Sequence, residues 1–383
     1  MTFDPISYSL AKKKSEAVIN STSPPEIDKF WYDANRGVLR GYSFKNGEWR
    51  FLSKYGYDDF DNPGYGGWGL NIQIPISTSP SESIQYCIEI NGDNIYVKSN
   101  DLTKNLATGT GGTTFWQNVS GVNDIRVFDE NFIQNYFWIE EFNTVNQVAK
   151  IWVKLNAGQT MVGIAFGNPY AGVSSYHNGD MTFEFFDDFV DLSNWTVLNG
   201  GGTGTASTTI YNGKTVVKLS PEGSSNRVAI VSPYNSNEND IFEICFFTDV
   251  DVIDGILMAY DDGSMVSSSN DFSNNGYMLL IARDNVTDHN ITKAVSGGAT
   301  ELVSVPGTVS SNVTYVSSFI WKSNNLIGIL NGNKILSTTD STFTSFNHVH
   351  ISCADNYWYV DWARVRKTLS SDLSFGTPKV DTF

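Results

Sequence analysis

The run YVDWARVRK at residues 359–367 has the pattern of a β-strand, because valine, tyrosine and tryptophan alternate with charged residues along it. HVHISC, residues 348–353, precedes it and alternates in the same way. Similar runs, separated by polar turns, recur back to residue 183. They are FEFFDDF, TVVKLS, RVAIVS, DIFEICFF, GILMAY, GYMLLIARD, TYVSSFIWK and LIGILNGNKIL. This spacing predicts a large β-sandwich over residues 181–370.

Residues 71–180 show the same alternation on a smaller scale. Their strand-length runs are SIQYCIEI, DNIYVKS, DIRVFDE, YFWIEEF, AKIWVKL and MVGIAFG. Polar turns separate these runs, as expected for short antiparallel strands. We therefore predict a second β-sandwich here and an all-β fold class for the chain.

The two ends of the chain differ from these segments. Residues 5–19, PISYSLAKKKSEAVI, place a proline before a narrow apolar stripe, which predicts a short helix. We expect residues 1–25 to anchor or oligomerise the chain. Residues 26–70 are predicted to form a small β-module and a linker, with Asn46-Gly47 as a tight hairpin turn. Residues 371–383 are expected to be a C-terminal tail.

Composition excludes several classes of function. The chain has 383 residues, enough for two or three domains. Its formal net charge of −16 and pI near 4.6 argue against nucleic acid as a partner, because phosphate binding needs clustered Lys and Arg. No stretch approaches the ~20 apolar residues that span a bilayer, so we expect no membrane insertion.

Cysteine usage and the N-terminus bear on the compartment. Cys87, Cys245 and Cys353 are widely spaced, which predicts buried reduced thiols and neither a disulfide framework nor a metal site. The first 20 residues lack the apolar core of a signal peptide, so we expect no classical secretion route.

The final segment resembles the concanavalin A-like lectin and glucanase superfamily. It opens on FFDDF (185–189) followed by Trp195, carries the hairpin ILNGNKIL (329–336) and closes on the run quoted first. The resemblance implies a jelly roll whose first and last strands lie side by side. It also implies a structural Ca²⁺ held by Asp187 and Asp361, since calcium takes oxygen ligands. The alternative is that these aspartates cap turns or pair with Arg364 and Arg366.

The middle segment resembles a domain family of unassigned function that occurs in archaeal and bacterial surface proteins and in tailed-virus proteins. The matching words are DIRVFDE, YFWIEEF, IWVKL and FGNPYA, in the family's order. The N-terminal words PISYSLAKK, FWYDAN and NGEW resemble anchoring and linker modules of phage or archaeal-virus fibres and adhesins. The family match implies architecture and context, and no chemistry.

These observations lead to a first hypothesis about function. The protein is expected to be a virion-associated fibre, adhesin or capsid-decoration protein that contacts other virion proteins and binds host-surface glycans through its last domain. Fibre-like anchoring favours a homotrimer. The expected location is the virion surface, with the extracellular cell surface as the alternative. A purely structural surface protein is a further hypothesis, because a fold does not dictate function.

A polysaccharide-cleaving enzyme is the competing hypothesis. Glu238-Asn239-Asp240-Ile241-Phe242-Glu243 matches the Glu-x-Asp-x-x-Glu word of glucanases, which place a carboxyl pair ~5 Å apart in a cleft. The word starts in a polar turn and lacks the usual Trp- and Gly-containing lead-in. We therefore interpret Glu238, Asp240 and Glu243 as a chance match and expect no enzyme.

A pair of histidines is the other candidate constellation. His348 and His350 alternate on one strand, which places both on one face as a zinc pair would require. No third ligand is in view in the sequence, so a packed strand face is the preferred interpretation. Sugar-binding residues are not assigned, because any of 10 Trp and 18 Tyr offers a ring.

Overall fold

The computed structural model describes residues 29–33, 38–45, 48–55, 70–168, 171–199, 203–221, 227–249, 255–264, 275–283, 288–354, 357–369 and 371–382. The helix predicted for residues 5–19 lies outside them. The described chain divides into two compact units. The first contains the described residues up to Lys98 together with Asn105–Asn178 and Leu373 onwards, and the second contains Ser99–Lys104 and Gly179–Asp372.

The first unit consists almost entirely of antiparallel strands. They are β1 (Lys29–Asp33), β2 (Val38–Lys45), β3 (Glu48–Tyr55), β4 (Leu70–Pro75), β5 (Ile84–Asn91), β6 (Asn94–Lys98), β7 (Asn105–Thr110), β8 (Arg126–Phe128), β9 (Phe137–Asn143), β10 (Val148–Leu155), β11 (Met161–Phe166) and β29 (Lys379–Thr382). A short helix, α1 (Gly112–Asn118), and a 3₁₀ turn (Val122–Asp124) follow β7.

These strands form three sheets. The first sheet has the order β1-β2-β3, and its register pairs Lys45 with Glu48; residues 46–47, the predicted hairpin turn, lie outside the described residues. The second sheet has the order β7-β6-β5-β10-β9 and the third has the order β29-β4-β11-β8. Ile72 of β4, Ile88 of β5 and Ile151 of β10 are buried, as expected for strands with one face in a core.

The second unit contains the remaining strands. They are β12 (Phe185–Asp187), β13 (Thr196–Asn199), β14 (Thr205–Tyr211), β15 (Lys214–Ser220), β16 (Arg227–Ser232), β17 (Ser236–Asn237), β18 (Asp240–Phe247), β19 (Ile256–Asp261), β20 (Gly276–Arg283), β21 (Asp288–Val295), β22 (Gly298–Pro306), β23 (Tyr315–Lys322), β24 (Asn325–Leu330), β25 (Asn333–Thr339), β26 (Ser345–Phe346), β27 (His348–Ala354) and β28 (Trp358–Lys367). One short helix, α2 (Gly179–Thr182), precedes β12.

Two large sheets enclose the core of this unit. One is eight-stranded, with the order β14-β15-β28-β18-β23-β24-β25 and β12 added beside β28. The other is seven-stranded, with the order β13-β16-β27-β19-β20-β21-β22. Phe242, Ile244 and Val365 from the first sheet pack in one cluster with Met258 and Ile351 from the second. The core therefore lies between the sheets, and the predicted all-β fold with a jelly roll is confirmed.

The resemblance to the lectin and glucanase superfamily implied that the first and last strands of the jelly roll lie side by side, and the structure confirms this. β12 pairs with β28, so that Phe185 lies opposite Val365 and Asp187 lies opposite Ala363. The hairpin predicted in ILNGNKIL joins β24 to β25 through Asn331 and Gly332, whose φ angles are 49° and 74°. Both angles are positive, as a two-residue hairpin turn of this kind requires.

The segment predicted as a C-terminal tail has a different structure. Residues 379–382 form β29, which pairs with β4 in the first unit. The Phe375 ring packs against Tyr86 with centroids 5.0 Å apart, and the Leu373 N–H donates to the Tyr86 hydroxyl at 2.9 Å. The sequence pattern missed this strand because KVDT is short and has a single apolar side chain.

Two other expectations concern burial and membranes. Cys87, Cys245 and Cys353 are buried and carry no disulfide, as predicted. In the described part of the chain, no helix has the length and apolar character needed to cross a membrane.

Candidate functional site

A cavity of about 700 Å³ opens at one end of the second unit. It is formed by β17, β26, the residues that follow β19 and the residue that precedes β20. Its lining consists of amide, hydroxyl, carboxyl and phenyl groups, from Asn235, Ser236, Asn237, Asp262, Asn275, Phe343, Ser345, Phe346 and Asn347. Small amides and hydroxyls around aromatic rings can bind a neutral polar ligand through hydrogen bonds and ring contacts.

One wall of the cavity is a two-stranded ladder. β17 pairs with β26, with Ser236 opposite Phe346 and Asn237 opposite Ser345. The Ser236 hydroxyl donates to the Phe346 carbonyl at 3.3 Å. This ladder fixes the backbone of both segments and leaves the Asn235, Asn237 and Asn347 side chains exposed.

Asp262 organises another part of the cavity lining. Its Oδ1 accepts hydrogen bonds from the Ser264 N–H and hydroxyl, at 3.3 and 2.6 Å. Its Oδ2 accepts two from Asn275, from the backbone N–H and from Nδ2, both at 3.1 Å. Four donors therefore occupy this carboxylate, and its role in the cavity is to orient Asn275.

The two phenyl rings are held from behind by the core. Phe343 and Phe346 lie 4.8 Å apart, and Phe346 lies 5.6 Å from Trp321. The Tyr277 hydroxyl donates to Asp340 at 2.6 Å and accepts from the Phe343 N–H at 3.2 Å. Hydrogen bonds from Lys293, Thr342 and Tyr277 hold the pKa of Asp340 well below its usual range, against the opposing effect of its burial. A charged anchor thus fixes the Phe343 segment.

The three carboxylates of the glucanase-like word are separated in the structure. Glu238 lies in the turn before β18, and Asp240 is the first residue of that strand. Successive side chains of a strand alternate between faces, so Asp240 shares the face of Phe242 while Glu243 points to the other side. No register shift interrupts β18 between these positions. Asp240 and Glu243 therefore do not flank one cleft.

Glu243 is the centre of a buried ionic cluster. Its Oε2 accepts hydrogen bonds from Arg364 Nε at 2.7 Å and Arg366 Nε at 2.8 Å. Its Oε1 accepts from Ser318 Oγ at 2.7 Å and Arg366 Nη2 at 3.0 Å. Burial opposes the charged form, yet the two guanidinium groups and these hydrogen bonds lower the pKa of Glu243 to about 2. A carboxylate held this way is not a proton donor at neutral pH.

Asp187 caps the turn that follows β12. Its Oδ1 accepts from the Phe189 N–H at 2.7 Å, and its Oδ2 accepts from Trp195 Nε1 at 2.8 Å and Asn194 Nδ2 at 3.2 Å. Burial raises the pKa of Asp187 despite these hydrogen bonds. Its carboxylate oxygens thus face N–H groups, where a calcium ligand would face the cation.

Asp361 has a different partner. Its Oδ2 lies 2.6 Å from the ammonium of Lys214, and it sits where the register of β28 against β18 shifts. Calcium needs six to eight oxygen ligands, and the pair predicted to hold it contacts N–H donors and an ammonium instead. These residues do not fit a calcium site. Of the alternatives, Asp187 caps a turn, whereas Arg364 and Arg366 pair with Glu243 and with neither aspartate.

The histidine pair is engaged in side-chain hydrogen bonds. His350 is buried, and its Nδ1 lies 2.6 Å from Asp261 Oδ2. His348 Nδ1 lies 3.0 Å from Asn347 Oδ1, at the edge of the cavity. Among the residues that the structure describes, no three His, Cys, Asp or Glu side chains are grouped to hold a metal ion.

Sequence patterns did not indicate the cavity residues. They come from four separate segments, and Asn235 and Asn237 lie in a polar stretch that is typical of a turn. The usable signal was the concentration of asparagine beside aromatic residues in PYNSN and TSFN. Their meeting depends on the pairing of β17 with β26, which is a long-range contact.

A family model matches part of this chain. It is described as "Domain of unknown function (DUF2341)" and matches residues 121–198. The range begins within the middle segment whose words predicted a domain family of unassigned function, and that resemblance is confirmed. No curated protein matches the chain.

Solved structures resemble the chain at low sequence identity. The carbohydrate binding module CBM66 from Bacillus subtilis is 14% identical, with 46% of this chain and 98% of that chain covered and a TM-score of 0.36. A protein of unknown function with galectin-like fold from Bacillus subtilis is 13% identical, with 51% and 95% covered and a TM-score of 0.37. Bacillus licheniformis beta-glucanase is 11% identical, with 48% and 98% covered and a TM-score of 0.36.

Proposed function

We propose that the second unit is a glycan-binding module and that the cavity at its β17–β26 end receives a sugar residue. The observation that carries this proposal is the lining of that cavity, to which exposed asparagine side chains and two phenyl rings both contribute. Sugar hydroxyls donate and accept hydrogen bonds in the way that amides do, and the C–H face of a sugar ring packs on an aromatic ring.

The size and rigidity of the cavity support the proposal. A volume of about 700 Å³ lies within the range of small-molecule sites. The Phe343 segment is fixed by Tyr277, and the Phe346 segment is fixed by the ladder with β17. A ligand would therefore meet groups that are already in place, which limits the entropy that binding costs.

We propose that this module binds a glycan without cleaving it. A glycosidase needs one carboxyl group as an acid and a second as a nucleophile or base across the scissile bond. Asp262 is the carboxylate in the cavity lining, and it is occupied by Ser264 and Asn275. The glucanase-like word contributes no side chain to that lining.

Binding is tested with a glycan array, followed by calorimetry on each glycan that is retained. Asn347→Ala and Asn235→Ala remove exposed amides from the cavity and are expected to weaken binding about fivefold each, since a net hydrogen bond contributes ~1 kcal/mol. Asn199→Ala on edge strand β13 removes an exposed amide that does not line the cavity and should leave affinity unchanged. No retained glycan, or equal losses in all three variants, would refute the cavity as the site.

The wider role as a virion-surface adhesin stays a prediction from the sequence. The words that carry the anchoring resemblance lie mostly outside the described residues. Mass spectrometry of purified particles is the direct test, and absence of this polypeptide from particles would end the hypothesis. Light scattering of the full-length protein tests the trimer that fibre-like anchoring favours.

A further inference from the structure

Lys367 and Asp240 face each other across two adjacent strands of the eight-stranded sheet. The register of β28 against β18 pairs these two residues directly. Lys367 Nζ lies 2.5 Å from Asp240 Oδ1. An amine hydrogen-bonded to a carboxyl oxygen is one bond away from the carbon that it would attack, and such positioning is the main requirement of an intramolecular reaction.

Two other lysine–aspartate pairs of the second unit provide a comparison. The side chain of Asp240 is 0% exposed, whereas those of Asp340 beside Lys293 and Asp361 beside Lys214 are 12% and 14% exposed. Burial raises the pKa of Asp240, while hydrogen bonds keep the pKa of Asp340 low. The surroundings of Asp240 therefore favour the neutral acid, which is the form whose carboxyl carbon a neutral amine can attack.

Asp240 has further polar neighbours. The backbone N–H of Asn237 donates to its second oxygen, Oδ2, at 3.0 Å, which partly opposes the effect of burial on the pKa of Asp240. The Tyr234 hydroxyl hydrogen bonds to Asp240, and the negative charge of Glu184 further opposes ionisation of Asp240. The site thus combines a lysine, a buried aspartate, a second carboxyl group and a hydroxyl donor.

We propose that Lys367 and Asp240 condense to an isopeptide bond that joins β28 covalently to β18. In this step the ammonium passes a proton to the carboxylate, and the neutral amine nitrogen attacks Cγ of Asp240. The C–N bond forms, one C–O bond breaks, and the oxygen leaves with two protons as water. One ammonium and one carboxylate are consumed, so charge and atoms balance without an oxidant or a cofactor.

The bond would join two inner strands of the jelly roll at the start of β18 and the end of β28. β18 and β28 are adjacent inner strands of their sheet, and the linked residues are 127 positions apart in the chain. A cross-link that closes a loop of this length restricts the unfolded chain strongly. The proposal does not depend on whether the cavity binds a glycan.

The intact mass of the purified, folded full-length protein is the decisive measurement. We expect a mass lower than that of the sequence by one water molecule, and a proteolytic fragment in which the Asp240 and Lys367 peptides are joined. A folded protein with the full sequence mass would overturn the proposal. A missing water that maps to any other residue pair would overturn it as well.

Three single-residue variants complete the test. Lys367→Arg keeps a cation beside Asp240 and should restore the full mass, and Asp240→Ala should do the same. Lys214→Arg alters the exposed pair with Asp361 and should leave the mass deficit in place. The measured intact mass of the protein without substitutions decides the question by itself. The proposal can therefore be refuted even if one of the variants fails to fold.

Discussion

Glu243 shows at the level of one residue how this protein stabilises a charge inside a sheet. Two arginines and a serine supply four hydrogen bonds to a fully buried carboxylate. Replacing one partner of such a cluster leaves the other charges buried without compensation, at a cost of about 3–5 kcal/mol. The cluster is thus costly to break, whatever its net contribution to stability.

Glu243→Gln is therefore expected to lower the free energy of unfolding by about 3–5 kcal/mol, measured by urea denaturation of the second unit. Glu238→Gln changes the first residue of the same word, which lies in a turn, and should stay within about 0.5 kcal/mol of the unmodified protein. Equal effects of the two substitutions would contradict the assignment of the cluster.

The same carboxylate predicts a pH dependence. Its pKa is lowered to about 2 in the folded protein from an ordinary 4.5. A lowered pKa gives stability that is present above the unfolded value and is lost as pH falls from about 4.5 towards 2. The free energy of unfolding, measured over this pH range, should fall less steeply for Glu243→Gln than for the unmodified protein. An unchanged slope would count against the pKa shift.

Asp187 and Asp361 make a prediction about calcium. Because N–H groups and Lys214 occupy their carboxylates, EDTA followed by added Ca²⁺ is expected to leave the melting temperature unchanged. A calcium-dependent rise that Asp187→Asn abolishes would restore the site that the family resemblance implies. Thermal unfolding by circular dichroism makes the measurement.

The β24–β25 hairpin carries a prediction at the level of an element. Gly332 has φ of 74°, and a methyl group on its Cα would meet no atom closer than 3.8 Å, so alanine there is opposed by backbone conformation alone. Gly332→Ala should cost about 1 kcal/mol or more. Gly298, in the β21–β22 hairpin, has no positive φ, and Gly298→Ala should change stability by less than about 0.5 kcal/mol. Urea denaturation compares the two.

Several strands could be predicted from the sequence alone, but the residues of the candidate functional site could not. β18 and β28 were visible in DIFEICFF and YVDWARVRK because these runs are rich in β-branched and aromatic residues, although both faces of the two strands are largely buried in the structure. The word at Glu238–Glu243 matched by spacing, yet register and alternation decide which face each carboxylate takes. The cavity could not be predicted because Asn235 and Asn347 are brought together by the pairing of β17 with β26, two strands that are distant in sequence.

At the scale of the whole molecule, the first unit depends on residues that follow the second unit in the chain. β29 covers β4, and Phe375 packs on Tyr86. Burial of a side chain such as Leu373 contributes about 1.5–3 kcal/mol. Removing residues 373–383 should therefore weaken the first unit and leave the core of the second intact.

The buried thiols report this effect separately for each unit. Cys87 lies in the first unit and Cys353 in the second. In the truncated protein we expect thiol labelling of Cys87 to accelerate about tenfold to a hundredfold, the factor that corresponds to ~1.5–3 kcal/mol. Labelling of Cys353 should keep its original rate. Equal acceleration at both cysteines would show that the loss is not confined to the first unit.

The position of β29 also sets an order of events during synthesis. The ribosome makes β4, β8 and β11 before the jelly roll, and it makes β29, the strand that completes their sheet, after every strand of the jelly roll. A chain released after residue 372 would thus contain every strand of the jelly roll, whereas the sheet of the first unit would still have an open edge along β4, and that edge is the surface that a chaperone would protect.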